Sequence, residues 1–477
     1  MAIASGMFAM VTDQSGLMIA LPSISEHFNS SLPTAQWVLI AYVLAVSIFL
    51  LPMGKLADLI GHKYIYTLGL VMLTVNALLA GFAPSIYWII LASFLRGIGS
   101  GMCQGSTMAI VVSVFGPGER GKALGLYISV VGIGAAIGPL LAGAVINEFT
   151  WRWLFFLSTF WGICSIVAAT TLDNGSTNRK SSLRLGSFDW IGILFFSTSL
   201  VALLLGMTQS SSMGFSNLFV IVLLGISVSF GICFVLWESK NDNPILDLNL
   251  FRQKTFSLGV GSSTIFFLGN AAVLFVMPFY LQSVLGYPVL KVGLMTAAGY
   301  IAVPVIGPLS GRLADRFGPG IFMAMGMAIC SLGLLVLANI TMASSWNVAM
   351  LGMILANVGL GFFYGPNNKI ILNSVASDDH GVVSGFVHLI RNSMHVVSMA
   401  ITVSIITMAM VSSGFEPNLS DLPADNASGI LSSFVAGFKK VFWLFGSIVC
   451  LGVITAFFLE KSSGKNTEPL QDPPTTT

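Results

Sequence analysis

The sequence predicts an all-α integral membrane protein, and three observations carry that reading: a scarcity of charge, fourteen long apolar runs, and an eight-residue segment that occurs twice. Only 8% of the residues are Asp, Glu, Lys or Arg, against roughly 25% in an ordinary soluble domain. Hydrophobic residues make up 55%, and the mean hydropathy is +0.89. A soluble chain this apolar could not keep its surface wetted, so lipid must be the solvent for most of it. The net charge of +2 is too small to point to a nucleic-acid partner. The five cysteines (Cys103, Cys164, Cys233, Cys330, Cys450) fall inside apolar runs and show no C-x-x-C spacing. They read as small packing residues, with no disulfide framework and no metal site. No cleavable signal is expected, because residues 1–22 lack a basic leading region and contain Asp13.

A hydrocarbon core of about 30 Å needs roughly 20 apolar residues in a helix. Runs of that length, broken by Gly, Pro or charge, fall at 2–22, 37–57, 65–83, 86–114, 122–147 and 153–172. Two more lie at 187–207 and 217–237, and a last six at 257–284, 289–311, 320–340, 346–372, 384–411 and 436–459. Polar linkers at 173–186 and 238–256 flank the seventh and eighth spans, and the tail 461–477 has the composition of a disordered segment. With the N-terminus placed in the cytoplasm, fifteen of the 21 basic residues fall inside and four (Arg152, Lys291, Lys439, Lys440) outside. Arg96 and Arg391 lie within spans. That bias places both termini on the cytoplasmic side of the plasma membrane.

The repeated segment is Gly54-Lys55-Leu56-Ala57-Asp58-Leu59-Ile60-Gly61, echoed by Gly311-Arg312-Leu313-Ala314-Asp315-Arg316-Phe317-Gly318. Both copies end an even-numbered span and are expected to form short cytoplasmic loops. Their glycines permit a sharp helix-to-helix turn, and the Asp is expected to cap or face a neighbouring helix N-terminus. Any tight loop favours Gly and Asp, but five identities in eight positions at matched places argue for duplication. The segment resembles the loop signature of the major facilitator superfamily. The first copy departs from it at Leu59 and His62, where arginines are usual, and keeps Lys63.

Further motifs carry the same resemblance. Leu95-Arg96-Gly97-Ile98-Gly99-Ser100-Gly101 in span four resembles the superfamily's R-x-x-x-G segment. The run from Gly134 through Gly138-Pro139 to Gly143 in span five is similar to its antiporter motif. Physically that run is a small-residue face allowing close helix approach, with Pro139 removing one backbone bond. Helix packing alone would account for the glycines about as well. The two copies of the loop are 257 residues apart, two helices too many for a six-helix half. The linker-flanked pair supplies them. Phe188-Asp189-Trp190-Ile191-Gly192, the segment Pro244–Phe251 and Trp151-Arg152-Trp153 resemble features of the fourteen-helix drug:proton antiporter family.

An ionisable group at mid-membrane is a functional hypothesis by default. Asp13 lies twelve residues into span one, roughly 18 Å deep at 1.5 Å per residue. It opens a segment, Asp13 to Pro22, that resembles a family motif except that Met18 replaces the usual Asn. Arg96, ten residues into span four, reaches a matching depth and is its expected partner. The pair is assigned to proton coupling, against the plainer reading of a structural ion pair. His388, Arg391 and His395 fall at i, i+3 and i+7 and share a helix face. The family usually carries an Arg at the position of Arg391. Asn270, Asn357, Tyr364, Asn367 and Asn368 are further candidates for a substrate cavity.

No nucleophile elbow, metalloprotease motif or phosphate loop is present, so neither an enzyme nor ATP-driven transport is expected. The resemblance implies two six-helix bundles (1–172 and 257–460) with two extra helices in 173–256, a central site exposed alternately to each side, and no cofactor or metal. The expected function is proton-coupled export of amphipathic small molecules by a monomer in a lipid bilayer. A lone buried carboxylate is compatible with lipophilic cations as well as neutral compounds. A same-fold importer, symporter or facilitator stays open, as do a channel and a non-transporting receptor.

Overall fold

The computed structural model describes residues 2–28, 30, 32–114, 120–170, 189–241, 244, 247–375, 380–414 and 428–463. The linker 173–186 and residues 464–477 of the tail lie outside the described residues, as do Phe188, Ile245 and Leu246. The described residues form helices and no strand.

The first six helices are α1 (Ala2–His27), α2 (Leu32–Ile60), α3 (His62–Gly81), α4 (Ile86–Val114), α5 (Arg120–Glu148) and α6 (Arg152–Thr170). A helical pair follows, α7 (Trp190–Met213) and α8 (Leu218–Glu238). The remainder is α9 (Lys254–Phe279), α10 (Val289–Tyr300), α11 (Ala302–Phe317), α12 (Pro319–Ala338), α13 (Trp346–Asn373), α14 (His380–Ser412) and α15 (Ser428–Ser463). Among the described residues thirteen stretches are long and apolar enough to cross a bilayer, with α10 and α11 together making one. The 26-residue α1 packs among them. The molecule is therefore a multi-pass integral membrane protein.

Every apolar run read from the sequence coincides with a helix, with three local corrections. The tenth run is two helices, separated by Ile301. Pro304 has no N–H for the Tyr300 carbonyl, so the ladder breaks there. The tail is helical as far as Ser463, because α15 runs 36 residues and carries Lys439 and Lys440 along its length. Finally, the repeated segment is not a loop. Gly54 to Ile60 complete α2 and Gly311 to Phe317 complete α11, leaving a single glycine at each corner. Gly61 (φ 109°, ψ 128°) and Gly318 (φ 93°, ψ 140°) adopt the same conformation, one that side chains rarely allow. The duplication is thus one of backbone shape as well as of letters.

A second repeated contact lies beside the first. On α3 and α4, a Cβ added to Gly69 or to Gly99 would stand 2.7 Å from the other's carbonyl oxygen. On α12 and α13, Gly326 and Gly359 face each other in the same way, at 2.7 and 2.6 Å. Absent side chains let these helix backbones touch, the close approach that stabilises helix pairs in lipid.

Elsewhere α1 packs on α5 and α6, α2 on α4, and α3 on α6. Along the second stretch α9 packs on α14 and α15, and α12 on α15. Early and late helices meet where α5 lies against α10 and α11, and where α2 and α4 lie against α14. The pair α7–α8 leans on α14 and α2. Cys103 and Cys330 are packing residues as expected, whereas Cys164, Cys233 and Cys450 lie on the outer surface.

Candidate functional site

A cavity of about 260 Å³ lies where the early and late helices face each other. Its walls are mostly apolar and aromatic, including Tyr42, Phe267, Phe275, Tyr300 and Tyr364. A few polar groups interrupt them: Asp13 and Gln14 from α1, Thr208 from α7, Asn270 from α9, and Arg391, Asn392 and His395 from α14. An apolar chamber with a handful of fixed polar groups is the usual form of a small-molecule site.

Asp13 forms an ion pair with Arg96 Nη2, and Arg96 is 1% exposed. Ser158 of α6 donates to Asp13 Oδ1 at 2.5 Å. The guanidinium of Arg96 lies over Phe155 (5.2 Å to the ring centroid) and Tyr42 (5.9 Å). Its Nε and Nη1 find no hydrogen-bond partner among the described residues. A charge this deep survives in lipid because it is paired and faces the bundle interior.

The Gly-Pro run of α5 acts on both sides of that pair. A Cβ on Gly138 would stand 2.6 Å from the Thr12 carbonyl, and one on Gly16 would stand 3.2 Å from the Gly138 carbonyl. The turn of α1 that carries Asp13 is thereby pressed onto α5. Gly134 meets Val11 of α1, while Gly143 meets Leu290 of α10 at 3.6 Å. The Pro139 carbonyl lies 3.1 Å from a Cβ built on Gly293 of α10.

On the opposite wall Arg391 donates to Tyr364 Oη and to Gln104 Oε1, each at 3.4 Å. Gln104 donates to Ser100 Oγ at 2.9 Å, and Tyr42 Oη donates to the same oxygen at 2.9 Å. This relay crosses from α13 and α14 to α4 and α2. Sequence reasoning missed Gln104, Ser100, Tyr42 and Ser158. The only signal was their position one helical turn or two from Arg96, or in helices that neighbour it.

Several expected cavity residues lie elsewhere. Asn357 is 2% exposed and donates to the Met353 carbonyl at 3.0 Å, facing α10. Asn367 donates to Ser263 Oγ of α9 at 2.6 Å, and Asn368 is likewise buried between helices. His388 is 1% exposed and does not line the chamber. The cavity ends at Arg391, so His388 is one turn beyond its floor. Asn270 lines the wall yet spends its amide on the Ala356 carbonyl at 3.4 Å. Asp315 pairs with Lys369 of α13 at 2.5 Å. Lys63, Arg312 and Arg316 lie beside these corners, partly or fully exposed, and the Asp58 side chain lies outside the described residues.

Below the cavity, at the end of the bundle that carries Gly61 and Gly318, early and late helices close on each other. A Cβ on Gly385 would lie 3.5 Å from Leu50 Cδ2. Beside the lining residues Val131 and Val303, Ser129 donates to the Pro304 carbonyl at 3.2 Å, and Lys55 Nζ of α2 donates to the carbonyl of Pro244, in the segment after α8, at 3.4 Å.

A membrane-spanning helical bundle around a central, sparsely polar chamber is the architecture of a secondary-active carrier. The chain belongs to the Major Facilitator Superfamily, whose family model matches residues 3–399. It is therefore a non-catalytic, secondary-active transporter of small organic solutes. It is 26% identical over 466 residues to a riboflavin transporter of Clostridioides difficile (strain 630), covering 96% of this chain and 97% of that protein. It is 24% identical over 510 residues to a tetracenomycin C resistance and export protein of Streptomyces glaucescens, covering 99% and 93%. A crystal structure of a POT family transporter in complex with a thioalcohol-conjugated peptide shares the fold, with a TM-score of 0.70 at 14% identity over 98% of this chain and 96% of that one.

Proposed function

We propose that this transporter couples movement of an amphipathic organic solute to protons, with Asp13 and Arg96 as the coupling pair and Arg391 at the solute. Helices in 1–172 and 257–460 would rock as two bodies about the chamber. The observation that carries this reading is a carboxylate in the cavity wall that is paired to a cation buried behind it. Protonating Asp13 removes the partner of Arg96, so a proton arriving from one side changes the forces holding α1 to α4.

The coupling mode that the geometry favours is symport, or uptake. Asp13 belongs to α1 and Arg391 to α14. A proton and a solute can then be held together without competing for one group, whereas exchange requires that one displace the other. The Gly-Pro run of α5 gives no direction, since close packing on α1 and α10 accounts for it. Export is the second reading, supported by the relative whose name states resistance and export.

Proteoliposomes with an imposed pH gradient separate the two. A symporter accumulates solute on the side toward which protons flow, and an antiporter on the opposite side. Asp13→Asn is expected to abolish gradient-driven accumulation while leaving counterflow of solute intact. Full gradient-driven accumulation by Asp13→Asn would falsify the coupling role.

A further inference from the structure

The charges around the cavity do not balance, and the imbalance selects a solute. Asp13 is the one carboxylate among the described residues that line the chamber, and its charge is matched by Arg96. Arg391 lines the same chamber with no carboxylate in ion-pair reach among the described residues. Its two protein partners, Tyr364 Oη and Gln104 Oε1, are neutral and stand at 3.4 Å, long for a guanidinium bond. The other titratable groups near it are His388 and His395 on its own helix and Tyr42 and Tyr300 across the chamber, none of which supplies a negative charge at neutral pH. The cavity therefore holds a net fixed charge of one positive unit. A cation entering it meets repulsion in a low-dielectric space, while an anion finds a planar donor fork.

The rest of the wall gives the other half of the solute. Phe267, Phe275, Tyr300 and Tyr364 line the same chamber as the guanidinium with aromatic surface, which favours flat, conjugated ring systems. Resting on the carrier reading above, we infer that the transported solute is a planar aromatic anion whose carboxylate, or similarly acidic oxygen, docks on Arg391. This narrows the sequence-based expectation of amphipathic small molecules, which left lipophilic cations and neutral compounds both open.

Equilibrium binding to the purified full-length protein in lipid nanodiscs tests the assignment without any gradient, so the outcome is independent of coupling and direction. Three fluorescent probes of one shape suffice: methoxycoumarin carboxylate, its uncharged carboxamide, and a methoxycoumarin bearing a trimethylammonium group. The carboxylate is expected to bind roughly tenfold to a hundredfold more tightly than the amide, as for one charge-assisted contact, and the cation more weakly still. Arg391→Gln should erase the preference for the carboxylate yet keep amide binding, which certifies that the cavity is folded. Arg391→Lys should restore part of it. Equal or tighter binding of the cation by the wild-type protein overturns the proposal, as does an unchanged preference in Arg391→Gln, or no carboxylate binding at all. A proton-coupling failure would leave these binding ratios in place.

Discussion

Arg96 is almost wholly buried, and only one of its three guanidinium nitrogens is in an ion pair. Removing either partner alone would strand the other's charge, so single and double substitutions should behave differently. Arg96→Gln is expected to lower stability by about 3–5 kcal/mol, the usual result of breaking a buried pair on one side. Combining it with Asp13→Asn should recover part of that loss, and thermal unfolding in detergent would measure both. These two residues were legible in the sequence because a charge inside an apolar run is rare. Gln104, Ser100 and Tyr42 were not, since neutral polar groups are ordinary in membrane helices and their facing is set only by the partner helix. Asn357, Asn367 and His388 were misjudged for the converse reason. A sequence gives their polarity and angle on a helix, but not whether they lie above or below the cavity floor.

At the scale of elements, the corners and the helix pairs fail in different ways. Nothing stands within 4 Å of a Cβ built on Gly61 or Gly318, yet both have positive φ. Gly61→Ala and Gly318→Ala should each cost about 1–3 kcal/mol through backbone strain alone. Gly99→Ala and Gly359→Ala have ordinary helical backbones but meet a facing carbonyl. Their cost, typically 1–3 kcal/mol for an overpacked core, should be relieved by no loop change and should appear as splayed helix pairs in cysteine cross-linking. The helical pair α7–α8 is held by Asp189, which accepts from the Gly192 N–H at 2.8 Å, from Trp237 Nε1 at 3.0 Å and from Asn241 Nδ2 at 2.6 Å. Asp189→Ala removes a helix cap worth about 0.5–2 kcal/mol together with those two tethers. It is expected to lower the unfolding temperature while leaving probe affinity in the cavity unchanged. The helices themselves were readable from apolar length. The break at Ile301 was readable in principle from Pro304, but a run of apolar letters hides a lost hydrogen bond.

For the whole molecule, the contacts of α5 with α10 and α11 run along the chamber from Ser129 and Pro304 to Gly143 and Leu290, and a separate seam closes α2 onto α14 below it, at Leu50 and Gly385. Alternating access requires that this seam part during each cycle. A Leu50→Cys, Gly385→Cys double variant, once oxidised, should stop transport, and reduction should restore it. Continued transport by the cross-linked protein would show that the seam is not a gate. Fold class and span number were legible because the bilayer imposes length and apolarity on every crossing helix. The position of α7–α8 against α2 and α14 was not, because no pattern in two mostly apolar helices names the neighbours they lean on.

The lone guanidinium of Arg391 also has a consequence for membrane voltage. The empty carrier keeps one positive charge in its chamber; a docked anion cancels it, and the proton that symport places on Asp13 restores it. Loaded and empty carriers then cross with the same charge, and the membrane potential, at about 2.3 kcal/mol per elementary charge per 100 mV, acts equally on both steps. Voltage would hasten one step as much as it slows the other, and the pH difference alone would set how far solute accumulates.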